Sequence, residues 1–474
     1  MSTEPIDEAT ARSLYDEVYI KASNADLSDN FGSVVAVSGD TLVVGAARES
    51  SKFGGAPSDN SLGSAGAAYV YVRQGNAWIE QARLKASNAD SNDFFGSSVA
   101  LSGDRIVVGA PGEDSAATGV DGDASSNTAY TAGAAYVFER SGSSWTQVAY
   151  LKASNARASA NFGGAVALAG DTVVVGSPDE SSSATGVDGS QTDTKAEGAG
   201  AVYVFVRSGS TWSQQAYLKA SNARSRARFG TSLAMAGETL AVGAPAEDSA
   251  GSGIDGDQSR STNGQRYGAA YVFVRSGSSW SQQVFLKGAA PDNALSAAQS
   301  LDFGRALALS GSTLVVGAPA DSSGARGIDG DVSMGHANRS GAAYIYVRDA
   351  TQVWSQQAYV KSPTALAGDE FGSSVGIDGD RVAIGSPGAP RAKGYGRVHV
   401  LGRQGDTWGE LGYYRGADQQ GKLDPGARFG AAVSIASELL AVGAPLDASD
   451  ARGLQGDRCD VSASRAGSVY VGRY

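Results

Sequence analysis

The sequence predicts an all-β protein, a seven-bladed β-propeller of four-stranded antiparallel blades closed by its own N-terminal strand. Three observations carry that expectation. A Phe-Gly pair followed by an alternating segment recurs at Phe31, Phe95, Phe162, Phe229, Phe303, Phe371 and Phe429. A second landmark follows each one: GAA at 45–47, GAP at 109–111, GSP at 176–178, GAP at 243–245 and 317–319, GSP at 385–387 and GAP at 443–445. The chain also opens with LYDEVYIKASNA (14–25), the ending of a unit seen again as WTQVAYLKASNA (145–156) and WSQQAYLKASNA (212–223). Self-similarity at such a period is the mark of a repeat architecture.

One unit, read from Phe95, supplies the elements in order. FGSSVALSG, DRIVVGAP, GAAYVFERSG and SSWTQVAYLKAS are short β-branched or aromatic runs bounded by Gly, Ser, Asp or Pro. Such runs are strands separated by turns. The first two are joined at Ser102–Asp104, a Gly-Asp step suited to a tight hairpin. A long polar loop separates the second strand from the third. The fourth begins at a tryptophan, and Trp78, Trp145, Trp212, Trp280, Trp354 and Trp408 mark six blades. Counting seven back from Lys21, as from Lys152 to Trp145, places Leu14 at the seventh such position.

The last unit, from Phe429, ends in GSVYVGRY (467–474) and has three strands. Its fourth is LYDEVYIK, Leu14–Lys21. A linear stack would leave two raw sheet edges, whereas a ring lets the first strand finish the last blade and removes them. Residues 1–13 are then a flexible tail, and 14–474 form a single propeller.

Composition limits function. The chain has 474 residues, 64 Gly, 12 Pro and a formal charge of −11, with a pI near 4.8. Such a surface repels phosphate backbones, so nucleic acid is not an expected partner. The single cysteine, Cys459, excludes an intrachain disulfide and any multi-cysteine metal site. No apolar run is long enough to span a bilayer, and the first residues lack the pattern of a signal peptide. The protein either stays in the cell or begins after a removed signal.

The Phe-Gly and Gly-Ala-Pro landmarks resemble the FG-GAP repeat family, which includes the integrin alpha-subunit propeller and many bacterial exported proteins. The resemblance covers 14–474 and implies extracellular or cell-surface binding to protein or glycan. It also implies calcium, held in integrin-type repeats by an Asp-x-Asp-x-Asp-Gly loop between the first and second strands. Here that connection is only SGDT (38–41), SGDR (102–105), AGDT (169–172), AGET (236–239), SGST (310–313), DGDR (378–381) and ASEL (436–439). A two-residue turn cannot wrap a cation.

Acid stands instead in the loop between the second and third strands. GEDSAATGVDGD (112–123) and its counterparts place Glu113, Glu180, Glu247, Asp321 and Asp447 two residues after the landmark Pro. Asp121, Asp188, Asp255 and Asp329 stand ten after it, and Asp123, Asp257 and Asp331 follow two later. Carboxylates and flexible carbonyls suit calcium; an Asp-Gly turn copied by duplication explains the same pattern. Both readings stay open.

Catalytic parts are few. His336 and His399 are the only histidines, too few for a triad or a multi-histidine metal site. Carboxylates that repeat from blade to blade are unlike an active site, which is built once. The six tryptophans and the arginines closing the third strands (Arg73, Arg140, Arg207, Arg275, Arg348, Arg403, Arg473) recur too regularly for a unique site and read as architecture. What varies is the connection into each Phe-Gly. It carries Asp26 and Asp29, then Asp90 and Asp93, and becomes basic at Arg224, Arg226 and Arg228. Because strands alternate direction, these connections share a face with the long acidic loops. The expected protein is therefore a noncatalytic secreted or cell-surface binding module, with Arg224, Arg226, Arg228, Asp90 and Asp93 as ligand contacts. The alternatives are a polysaccharide-cleaving enzyme on a propeller scaffold and a purely structural surface module.

Overall fold

The computed structural model describes residues 14–56, 59–259, 261, 265–288, 300–388, 396–416, 426–456 and 462–474. The tail 1–13 and Cys459 lie outside the described residues. Among these residues every regular element is a strand, and no helix is long and apolar enough to cross a membrane.

The strands form seven antiparallel sheets of sequential order, one per unit. Blade 1 is Val34–Ser38, Thr41–Ala46, Ala67–Gln74 and Ala77–Leu84. In blade 7, Ala432–Ala436, Leu439–Ala444 and Ser468–Arg473 are completed by Tyr15–Ile20. Tyr19 pairs with Tyr470 and Ile20 with Val469, so the opening segment is the missing fourth strand. The innermost strands pack side by side round the axis, and Ala432–Ala436 against Val34–Ser38 closes the ring. Blade 4 carries one extra element, the two-residue strand Gly253–Ile254 on its outer edge, which the sequence pattern does not announce.

The landmarks are contacts between blades. Gly96 takes φ +89° and donates its N–H to the carbonyl of Gly109 at 3.0 Å. A Cβ on Gly109 would stand 2.0 Å from the carbonyl oxygen of Gly163 in the next blade. The same contact joins Gly443 to Gly32 across the closure. The second-strand glycine therefore lets neighbouring backbones touch, a place where any side chain would clash. The landmark phenylalanines are buried. Each meets the third-strand aromatic ring of its own blade edge to face, as Phe31 meets Tyr69 at 5.4 Å and Phe95 meets Tyr136 at 5.4 Å. Such pairs add to plain area burial.

The tryptophans stitch blades together from outside. Trp145 donates Nε1–H to Gln81 of the previous blade at 2.8 Å, and Trp280, Trp354 and Trp408 do the same to Gln215, Gln283 and Gln357. Arg140, Arg275, Arg348 and Arg403 stack over these four rings. The structural role of these four rings is thus direct. One register needs correction. Arg473 pairs with the second-strand residue Leu439, whereas in blade 2 the matching Arg105 pairs with Glu139, the residue before Arg140, so Arg473 stands one residue short of the position held by the other arginines. Tyr474 follows at that place.

Candidate functional site: the loop face and its central funnel

The acids after the landmark prolines turn inward. Glu113 is buried and accepts from Lys152 Nζ at 2.6 Å, Tyr150 Oη at 2.7 Å and Asn88 Nδ2 at 3.0 Å. Lys152 ends the fourth strand of the same blade, while Asn88 belongs to the SNA segment of the preceding one. Blades 1, 3 and 4 repeat the arrangement with Lys85–Glu49, Lys219–Glu180 and Lys287–Glu247 at 2.8, 2.8 and 2.6 Å. Blade 5 uses Lys361–Asp321 at 2.8 Å, and blade 7 uses Lys21–Asp447 at 3.6 Å. Burial pushes the Lys152 ammonium below its ordinary value, and Glu113 draws it back. Buried pairs of this kind are stable only while every member is satisfied. In the opening segment, Lys21 reaches Asp447 of blade 7 and Asn24 reaches Glu49 of blade 1 at 2.9 Å. The KASNA motif is the joint between blades.

Asp121, Asp188, Asp255 and Asp329 lie one per blade. All four take positive φ, between 50° and 53°. Each carboxylate accepts a backbone N–H from the outer strand: Tyr150, Tyr217, Phe285 and Tyr359, at 2.8, 2.8, 2.9 and 2.9 Å. The long loop thereby folds across the blade and covers its exposed edge, which a sheet must otherwise protect. Asp123, Asp257 and Asp331 accept the amide of the residue two further on, Ser125, Ser259 and Ser333. These are Asx turns. Among the described residues no group of three or more His, Cys, Asp or Glu is placed to hold a metal ion. Each of these carboxylates is thus engaged in a turn or edge hydrogen bond.

The ligand candidates separate. Arg224 is half-buried, donating to the Gln258 carbonyl and pairing with Asp248 at 3.4 Å. Arg226 is exposed beside Glu197 at 3.6 Å. Asp90 is an exposed loop acid that accepts from Asn127 at 2.8 Å. Asp93 is buried, with its carboxylate capping the Asp90 amide at 2.7 Å, and does not reach the surface. Burial first, with Glu113 and Asp90 adding repulsion, pushes its carboxyl up to about 7. Only Arg228 of the five reaches the axis.

At the axis, the loop face opens into a funnel of about 690 Å³. Five arginines line it: Arg228, Arg266, Arg305, Arg339 and Arg428, against two carboxylates, Asp302 and Glu370. Glu370 bridges Arg339 at 3.1 Å and Arg428 at 2.9 Å, and Arg228 pairs with Asp179 at 3.0 Å. Arg266 and Arg305 are exposed, and no ion pair holds either guanidinium among the described residues. Sequence reasoning found the face and missed four of these arginines. Arg428 was legible as the residue before Phe429, the position of Arg228. Arg266 and Arg339 sit two before the glycine that opens a third strand, and Arg305 two after a landmark Phe.

The backbone makes these choices informative. The residue before each landmark Phe has φ between 50° and 59° in all seven blades: Asn30, Phe94, Asn161, Arg228, Asp302, Glu370 and Arg428. Asn suits that left-handed conformation, whereas Arg and Glu are strained there by about 1 kcal/mol. Arg339, at φ 52°, is placed likewise. Backbone preference therefore does not select these side chains.

No curated protein matches the chain significantly. The FG-GAP repeat model matches residues 15–71, 78–138, 145–205, 212–273 and 354–401. Each match begins at or beside the fourth strand of one blade and runs through the third strand of the next, the same phase in which this ring is sewn together. With more than half its length matched, the chain belongs to the FG-GAP repeat family.

Proposed function

We propose that the protein is a noncatalytic binding module, secreted or displayed on a cell surface, that takes a protein or glycan ligand on its loop face. The observation that carries this reading is the funnel: on a frame copied blade by blade, its lining changes residue by residue, in conformations that favour other side chains. Recognition surfaces on rigid scaffolds are built in this way.

The chemistry elsewhere supports binding over catalysis. The repeated carboxylates are held in buried pairs with lysines, which withdraws them from acid–base work on the loop face. His399 is buried between Phe371 and Tyr413, with Nδ1 2.7 Å from Glu410. A screen of glycans and extracellular proteins, with and without calcium, tests the proposal. Capture of a ligand, lost when Ser373 and Ala431 in the funnel are replaced by Trp, is the expected result. Release of products from polysaccharides would replace it with the enzyme reading.

A further inference from the structure

We infer that the basic side of the funnel is a binding site for a compact polyanionic group, two or more carboxylate, sulfate or phosphate oxyanions on one small ligand or chain end. The inference rests on the loop-face reading above and specifies the chemistry the face recognises.

Four observations converge. The protein as a whole is acidic, at −11, yet its axial funnel is lined by five arginines and two carboxylates. The charge sits on one side. Blades 1 to 3 present Asn30, Phe94 and Asn161 before their landmark Phe, and the arginines come from the connections of blades 4, 5 and 7. Arg266 and Arg305 stand exposed without an ion pair among the described residues, while Arg339 and Arg428 share the single carboxylate of Glu370. Finally, Arg228, Arg339 and Arg428 occupy left-handed backbone positions that local energetics assign to Asn or Gly.

Guanidinium groups present a planar fork of donors matched to oxyanions. Several converging on one concavity bind a multivalent anion far better than a single charge, because each further contact is intramolecular once the first is made. The funnel is also within the usual size of a small-ligand site. Acidic surroundings repel dispersed anions from the rest of the surface, so they confine such a ligand to the axis.

The test is calorimetry at low and moderate salt with three probes: citrate, inorganic tripolyphosphate and a sulfated tetrasaccharide. These separate carboxylate, phosphate and sulfate sources of the shared chemistry. At least one is expected to bind, with affinity falling steeply as salt rises. The double variant Arg266→Ser/Arg305→Ser is expected to weaken binding about tenfold or more. Arg473→Ser, exposed at a strand end and outside the funnel, is expected to change nothing. Both variants alter exposed side chains, and unchanged melting confirms that the fold is kept. Absence of binding by all three probes at low salt overturns the inference, and so does binding that survives the double variant. If the probes fail but a neutral ligand from the screen is lost on Ser373→Trp/Ala431→Trp, the loop-face reading stands and the anionic chemistry falls. If that ligand is still captured, the loop-face reading itself falls.

Discussion

The joints between blades and the mouth of the channel are built from the same repeat, yet they treat variation in opposite ways. The joint keeps Lys, an acid and a Tyr or its equivalent in six of the seven blades, at distances between 2.6 and 3.6 Å. Its liberties are few: Asp321 and Asp447 for Glu, and Phe285 and Arg83 at the tyrosine position of blades 4 and 1. The mouth holds its backbone as tightly, at φ 50° to 59°, but its side chains run from Asn through Phe to Arg and Glu. Burial explains the contrast. A charge out of water must find its partner, so the joint tolerates little. A residue at the mouth is half-buried or exposed and meets its partners near the surface, as Arg228 meets Asp179, so its identity is more open to whatever enters.

That contrast can be broken or sharpened by experiment. The largest effect is expected from deleting residues 1–22, which removes the fourth strand of blade 7 and Lys21 from Asp447. Soluble expression and a cooperative melt should be lost; a truncated chain that melts like the parent would refute closure by this strand. Next comes Lys152→Met, which leaves Glu113 buried without its cation. A loss of about 3–5 kcal/mol is expected in denaturant unfolding, with much of it recovered in Lys152→Met/Glu113→Leu. Funnel substitutions such as Arg305→Ser should by contrast stay within about 0.5 kcal/mol. Equal losses at both places would erase the distinction drawn here.

The smallest effect concerns pH. The folded Asp93 carboxyl titrates at about 7, far above the ordinary aspartate value of 3.8. The folded state therefore keeps a proton that the unfolded chain releases. Asp93 thus lowers stability progressively as pH rises from about 4 to about 7, and the loss persists above that. Asp29 is pushed up to about 7 by burial in the same way. Asp93→Asn keeps the acceptor for the Asp90 amide and cannot ionise. It should match the parent near pH 4 and exceed it by roughly 1–4 kcal/mol at pH 8. Equal pH profiles for the two proteins would show that the buried carboxyl is not titrating there. Ala160, Ala227 and Ala427 hold the equivalent place in blades 3, 4 and 7, so the position does not demand an acid.

The architecture was legible because repetition multiplies weak local signals. One Phe-Gly says little; seven in phase, with a fragment at the start matching the gap at the end, leave one closed solution. Leu14, placed by counting back from Lys21, is indeed buried beside the last blade. The site was harder to read for the same reason. Asp121 and Glu113 repeat and are acidic, which draws attention to them, but only three-dimensional pairing distinguishes an edge clip and a buried ion pair from a cation site. Arg266 and Arg339 share a position that holds Ser64, Thr131 and Gly198 in blades 1 to 3, Arg305 has no Arg counterpart two after the other landmark Phe residues, and the three lie far apart in sequence. Their convergence depends on which residues of three different connections reach the axis, and periodicity carries no such information. The register of Arg473 failed for a smaller reason: one aligned letter can hide a one-residue offset when the neighbouring residue is also large.

The splitting of blade 7 also sets a timetable. Of all the strands of the propeller, Tyr15–Ile20 is made before the others, and its partner Ser468–Arg473 after them. Six blades can form while the chain is still being made, each completed by the fourth strand that follows its third. The seventh has to wait for Ser468–Arg473, and until then Tyr15–Ile20 has no sheet to join. Closing so long a loop is the slowest kind of pairing. Throughout that interval, blades 1 and 7 expose the surfaces that will meet. A nascent propeller is thus most vulnerable to aggregation just before the ring closes, and what shortens that wait should raise its yield more than what stabilises the finished ring.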